Sequence, residues 1–442
     1  MPRTILLFVV LTALTTGALG GQTVAPYAAR RAVVLAALHD DLLLVPSRES
    51  FKADDQPGFQ QATDFQYLTG LDALVGAVLA IDGPSRTATL FIPQPNPAIT
   101  RAMPGADGST ATALGLDRIV PMDSLRAWLV AGSPRWRRVL VSPTDLRGAV
   151  HTPVPMADGV TRWRAWLETL GMRGNVHAAT EITRPLREIK DAGEIAILDR
   201  VGRLSGLAML AGMRAVRPGT TQHAAEIAIV WACVRGGARG HSFWPWAMSG
   251  PRAVFTDLFN SFVDYEGHNR AMQAGELVRV DVGCQADHYQ GDVGRTVPVS
   301  GRFSAGQREA WDLFIAGYRA GLVALRDGAT AASVYAAAQG RIRELGPGMT
   351  TPMGRRAAAL LLGPHAFDAW EIHGVGLDDA EGLPEVLKTG MTVAYELMFA
   401  VDGEGFYLED MILITSDGYR MLTPGLPYSA REIEAAQRSR GR

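Results

Sequence analysis

Two stretches of this chain place carboxylates inside runs that otherwise read as buried β-strand, and few folds tolerate that. Leu277 to Gly283 alternates so that Val278, Val280 and Val282 share one face, which leaves Asp281 on the other. Eleven residues later comes Asp292, after a Gly291 suited to a tight turn, and Val293 to Val299 reads as a returning strand. The two acids can then meet across one antiparallel pair. The second stretch repeats the pattern. Met391 to Phe399 is largely apolar around Glu396, Asp402-Gly403 marks a hairpin turn, and Phe406 to Thr415 carries Glu409 and Asp410. Four inward carboxylates in a low-dielectric pocket repel one another until protons or cations arrive.

His373, in Ile372-His373-Gly374-Val375-Gly376-Leu377-Asp378, adds an imidazole next to glycines that let backbone approach closely. Taken singly, an acid at a strand end is more often a capped turn or an ion pair than a ligand. Together, the acids and the imidazole favour a cation site. Hard oxygen donors with one nitrogen suit Mn²⁺ or Co²⁺, with Zn²⁺ and Fe²⁺ as alternatives. Two such ions about 3.5 Å apart would share a hydroxide at neutral pH.

The rest of the chain frames these segments. At 442 residues it exceeds what one hydrophobic core usually supports, so two domains are expected. Hydrophobic residues at 47%, charged residues at 20% and a net charge of −2 describe an ordinary globular protein and give no reason to expect nucleic acid as a partner. Residues 1–20 read as a secretory signal peptide: Arg3, an apolar run from Ile5 to Ala18, then the small residues of Ala18-Leu19-Gly20. An exported, periplasmic or secreted protein follows, with no membrane span after signal removal. Export permits disulfides, but Cys284 adjoins a site strand and Cys233 is its only counterpart, so two free thiols are expected.

Residues 21–184 alternate strand and helix, which predicts an α/β domain. Ala28 to Leu38 has helical spacing. Leu42 to Val45, Phe65 to Gly70, Ala77 to Ile81, Thr89 to Ile92 and Val139 to Val141 read as strands, Pro93 to Pro104 as a loop, and Arg162 to Leu170 as a helix. Residues 185–442 predict an α+β domain. One long helix is expected from Glu188 to Val216 and another over Thr221 to Val234, then β texture interrupted by helices at Gln307 to Leu325 and Ala332 to Leu345.

Over nearly the whole mature length the chain resembles the pita-bread metallopeptidases, the aminopeptidase P and prolidase group. The matching text is Asp281-Val282-Gly283-Cys284 with Gly291-Asp292-Val293-Gly294-Arg295-Thr296, the histidine loop His373 to Asp378, Glu396, and Glu409-Asp410. Phe65 to Gly70 with Thr89 to Ile92 resembles the amino-terminal domain of aminopeptidase P and creatinase. The resemblance implies a pita-bread catalytic domain over 185–442 that hydrolyses peptides after removal of the signal. It implies two divalent metal ions, most often Mn²⁺, with Asp292 and Glu409 bridging, Asp281 on one ion, and His373 with Glu396 on the other. Glu396 would also be the catalytic proton acceptor. The substrate would be an amino-terminal Xaa-Pro peptide, and the assembly a homo-oligomer, dimer or tetramer.

Two positions depart from the family. Asp264 and Ala380 stand where histidines usually assist the substrate, and a lost donor of that kind costs roughly 2.7–4 kcal/mol of transition-state stabilisation. Asp264 itself and the nearby His268 are the candidate substrate-binding residues, with His288 as a further histidine near these segments. Phe243-Trp244-Pro245-Trp246 could wall a proline pocket. The alternatives are an Xaa-Pro dipeptidase of the prolidase kind, a metal-free amidinohydrolase of the creatinase kind, and a peptide-binding member of the fold without turnover.

Overall fold

The computed structural model describes residues 25–48, 60–72, 74–93, 108–143, 159–254, 260–261 and 264–439. The signal segment and most of the proline-rich stretch lie outside the described residues. The chain divides into two compact units, the first ending at Ala179 and the second beginning in its main part at Thr180. None of the described helices is long and apolar enough to cross a membrane.

The first unit is built on a six-stranded mixed sheet. Its strands are β1 (Leu42–Pro46), β2 (Val78–Asp82), β3 (Thr87–Ile92), β4 (Arg118–Pro121), β5 (Val139–Val141) and β6 (Val176–Ala178), in the order β4-β3-β2-β1-β5-β6. β1, β2 and β3 run antiparallel in turn, while β4, β5 and β6 join in parallel. Leu42, Leu44, Val78, Phe91 and Val141 of the sheet share one core with Leu125 and Leu129 of the helix Leu125–Gly132 and Leu167 of the helix Gly159–Thr169. The expected strand over Phe65 to Gly70 is instead the helix Thr63–Thr69. Its aromatic and β-branched residues favour a strand, but Gly70 closes the turn with φ 72°, and the Thr69 hydroxyl donates to the Phe65 carbonyl one turn back. Burial of both polar and apolar side chains in this turn then favours the helix over the local β preference.

The second unit carries β7 (Gly240–His241), β8 (Trp246–Ser249), β9 (Leu277–Val282), β10 (Cys284–Ala286), β11 (Tyr289–Gln290), β12 (Val293–Pro298), β13 (Trp370–Gly374), β14 (Thr392–Val401), β15 (Glu404–Thr415) and β16 (Gly418–Met421). Its main sheet runs β13-β14-β15-β12-β9-β8, with β16 also on β15, and a small sheet runs β11-β10-β7. The long helix expected from Glu188 to Val216 is preceded by a separate one, Thr180–Glu188, and itself starts four residues late, as Ala192–Ala215. Asp191 caps the second by accepting from the Glu194 amide while the Glu194 carboxylate accepts from the Asp191 amide. That reciprocal box starts a helix afresh and prevents the first from continuing. The residue between, Lys190, reaches Glu381 at 3.0 Å.

Cys233 and Cys284 form a disulfide with Cα atoms 5.5 Å apart, which overturns the expectation of two free thiols. The helix Gln222–Arg235 lies against β7 and β10, and that packing brings together two cysteines 51 residues apart. Sequence spacing alone does not encode such a meeting. Closing a loop of that length contributes up to about 4 kcal/mol in the chain-entropy model. The double variant Cys233→Ala/Cys284→Ala is therefore expected to unfold at clearly lower urea concentration than the oxidised protein. An unchanged midpoint would remove the bridge from the account of stability.

Candidate metal centre

The register of the main sheet sets the acids side by side. Trp246 faces Asp281, Asp281 faces Gly294, Gly294 faces Glu409, Glu409 faces Glu396, and Glu396 faces Glu371, one directly opposite pair after another across β8, β9, β12, β15, β14 and β13. Directly opposite residues point to the same side of a sheet, as do residues two apart on one strand. Asp292, two before Gly294, and His373, two after Glu371, therefore join the same face. Asp281 and Asp292 meet across the antiparallel β9–β12 pair as the sequence suggested, but diagonally, since the direct partner of Asp281 is Gly294.

These side chains converge. Ligand atoms of Asp292, His373 and Glu409 lie within 4.8 Å of one another. His373 Nε2 is 3.8 Å from Asp292 Oδ2, 3.8 Å from Glu396 Oε2 and 3.7 Å from Glu409 Oε1. Nδ1 of the same ring is 3.1 Å from the Gly374 carbonyl, a bond that puts the proton on Nδ1 and turns Nε2 toward the acids. Asp281 Oδ1 and Glu409 Oε1 are buried without a hydrogen-bond partner. Buried anionic oxygens in that state are costly, and a divalent ion among them removes the cost. The donor set, four carboxylates and one imidazole, fits hard or borderline divalent ions.

The electrostatics point the same way. Burial, reinforced by Glu409, Asp281 and Glu396, pushes the Asp292 carboxyl well above the usual range. Burial also lifts Asp281 to about 7, against the pull of Arg279, and lifts Glu396 to about 8 with help from Glu409. For His373, burial alone would lower the value, but Glu409 and Glu396 carry it up to about 10. In the absence of metal the pocket holds protons that cations would displace.

The other residues singled out in the sequence have local partners. The Asp264 carboxylate accepts from the Gly267 amide and so caps the helical turn Tyr265–His268. Both ring nitrogens of His268 are engaged, Nδ1 with the Asp264 carbonyl at 2.7 Å and Nε2 with Arg252 at 3.0 Å. Ala380 is exposed, and His288 lies between β10 and β11 with φ 70°. The tryptophan run does border the acids, since Trp246 stands opposite Asp281. Trp244 and Tyr265 both donate to the Glu226 carboxylate, which also accepts from the Ala247 amide at 3.1 Å.

Several groups at the centre escaped the sequence reading. Arg279 and Tyr407 lie on the acid-bearing face, each two residues before an acid on its own strand, an alternation that the sequence itself carried. Glu381 closes the histidine loop through a two-way backbone bridge with Gly374, both bonds 2.7 Å, and receives Lys190 at 3.0 Å and Arg187 at 2.5 Å. Burial opposes its charge, yet those two cations hold its carboxyl down to about 2. The spacing from Arg187 to Lys190 gave no hint of a target almost two hundred residues on.

Raised carboxyl values mean that the metal-free folded protein binds more protons than the unfolded chain between about pH 4 and 8, so these groups lose it stability as pH rises through that window. The contribution of His373 is present below its unfolded value and is lost as pH rises through about 10. Metal binding needs the same sites deprotonated. The gap in melting temperature between metal-loaded and metal-stripped protein should therefore widen from about pH 6 to about pH 8.5 in calorimetry. A constant gap would separate these titrations from metal binding.

Comparison with known proteins now places the geometry. The model for metallopeptidase family M24 matches residues 196–416, half of the chain, and that for the aminopeptidase P N-terminal domain matches 27–131. The chain is similar to the Xaa-Pro aminopeptidase of Escherichia coli strain K12, 27% identical over 415 residues covering 87% of this chain and 90% of that one. It is also similar to Xaa-Pro aminopeptidase 3 of Mus musculus, 23% identical, with 94% and 86% covered. Among solved structures, E. coli aminopeptidase P with the inhibitor Pro-Leu matches with a TM-score of 0.73 at 23% identity over 94% of this chain and 98% of that one. Pseudomonas aeruginosa aminopeptidase PepP matches equally well, with a TM-score of 0.73 at 22% identity and the same coverage. The expected pita-bread fold is thus present, and the chain belongs to metallopeptidase family M24, with an amino-terminal domain of the aminopeptidase P type and the family's dependence on divalent metal.

Proposed function

We propose that this protein is an Xaa-Pro aminopeptidase whose two divalent ions, Mn²⁺ by preference, are held by Asp281, Asp292, His373, Glu396 and Glu409. The observation that carries the reading is the arrangement of these groups along the sheet. Asp281 and His373 stand on outer strands of the acid-bearing stretch, β9 and β13, while Asp292, immediately before β12, and Glu409, on β15, lie between them. The middle pair could then serve both ions, and each outer group would serve the one at its own end. The names of the relatives support Xaa-Pro peptides as substrate, and a proline amide, rigid and without an N–H, needs a dedicated pocket.

Bound divalent ions would supply Lewis acidity to the scissile carbonyl and make water acidic enough to attack near neutral pH. The remaining work falls to the chain. Glu396 accepts the proton of the attacking water on its largely enclosed carboxylate and returns it to the departing proline nitrogen. Its placement beside His373 and Glu409 suits a proton acceptor working near neutrality. Trp246 and Trp244 offer the bordering apolar wall, the latter oriented through its Nε1–H bond to Glu226 at 3.0 Å. The buried disulfide supports export to an oxidising compartment.

A second reading, a peptide-binding member of the fold without turnover, draws on Asp264 and Ala380. Neither offers the donor that a histidine would, since one caps a turn and the other is a methyl group. Turnover decides between them. Metal-reconstituted protein is expected to cleave Xaa-Pro peptides, and Glu396→Gln to lose roughly 10²–10⁴-fold in kcat while keeping its fold. Metal analysis should find Asp292→Ala short of one ion or both, with activity abolished. Full occupancy with no hydrolysis across a broad panel of proline peptides would refute the peptidase reading.

A further inference from the structure

The face that carries the acids also holds a cation. Arg279 precedes Asp281 by two residues on β9 and is 1% exposed. Its Nη2 donates to Asp281 Oδ2 at 3.1 Å, and its guanidinium carbon lies 4.4 Å from the centre of the Tyr407 ring. Tyr407 donates to Glu409 Oε2 at 2.6 Å. Gly294 makes room for this arrangement, because a Cβ there would stand 1.9 Å from the Tyr407 ring. The guanidinium and the phenol thus take one oxygen each from Asp281 and Glu409, and the other oxygen of each is the one without a hydrogen-bond partner.

The two ends of the row differ in charge as a result. Around His373 Nε2 three carboxylates stand within 3.8 Å. At the other end, Asp281 already has half its carboxylate committed to a fixed positive charge. A guanidinium that cannot lose its proton opposes a divalent ion seated nearby, and low-dielectric surroundings amplify the opposition.

We propose that Arg279 sets the metal loading of the centre, weakening the Asp281 end relative to the His373 end so that the two ions enter in order, His373 first. The inference rests on the two-metal reading and adds to it a residue of this chain that makes the pair unequal. Arg279 is a positioning residue: it holds Asp281 with Oδ1 turned away from its own guanidinium and lowers the charge available there.

Metal-stripped full-length protein titrated with Mn²⁺ alone tests this, by calorimetry and by electron paramagnetic resonance. Wild type should bind in two steps at least about tenfold apart and show an uncoupled Mn²⁺ spectrum at one equivalent. Arg279→Met should tighten the weaker step by about tenfold or more, leave the tighter step within about twofold, and show the spin-coupled spectrum at lower metal. Arg279→Lys should restore the wild-type separation. Should the methionine variant fail to fold, Arg279→Gln carries the same expectation. A weaker step unchanged or weakened in the Met and Gln variants, or an equal shift of both steps, overturns the inference while leaving the two-metal reading intact. A wild-type protein that takes up no Mn²⁺ overturns that reading and this inference with it.

Discussion

Repulsion among buried carboxylates governs the second unit. The sheet register puts Asp281, Asp292, Glu396 and Glu409 on one face of neighbouring strands, where water is largely excluded. Such a cluster is unstable by itself, and its acids respond by holding protons far above their usual range. A chain that keeps four acids in one place needs cations there. The metal dependence of family M24 is the same physical requirement expressed as chemistry.

Holding the acids in place takes a rigid support, and the opposite face of the sheet supplies it. Arg295 alternates with Gly294, and Asp410 with Glu409, so this second acid–base pair lies behind the centre. Arg295 is fully buried and donates to Asp410 at 2.9 Å, to the Glu409 carbonyl at 2.6 Å and to the Pro427 carbonyl at 3.0 Å. Asp410 also accepts from Tyr318 and Thr423 at 2.9 Å and from Tyr428 at 2.6 Å. A buried ion pair is stable only when its remaining hydrogen-bonding capacity is met, and here it is met on all sides. β12 and β15 are locked together at the level of Glu409. At the other end, Lys190 and Arg187 fix the histidine loop through Glu381.

Much of this was legible from residue order because the strands signal themselves locally. Alternation over Leu277 to Gly283, glycine at hairpin turns, an isolated acid in an apolar run and a glycine-flanked imidazole singled out the five candidate ligands without tertiary information. The places where the sequence misled are those where nearby chemistry competes with distant packing. Phe65 to Gly70 has strand-like residues but a helix-ending glycine. The later start of the long helix, at Ala192 rather than Glu188, comes from the Asp191 cap and from a cation drawn to Glu381. The disulfide depends on how the helix Gln222–Arg235 settles against β10.

By itself the sequence determined which residues can be ligands and which strands carry them, because side-chain alternation and turn formation are properties of a few consecutive residues. Only the tertiary structure decided the register, which makes Gly294 the direct partner of Asp281, and the contacts by which Arg279 and Tyr407 engage each other and the acids. Register depends on hydrogen bonds between strands far apart in the chain. A shift of one residue would turn every acid to the other side of the sheet, and no local pattern records how that choice was made.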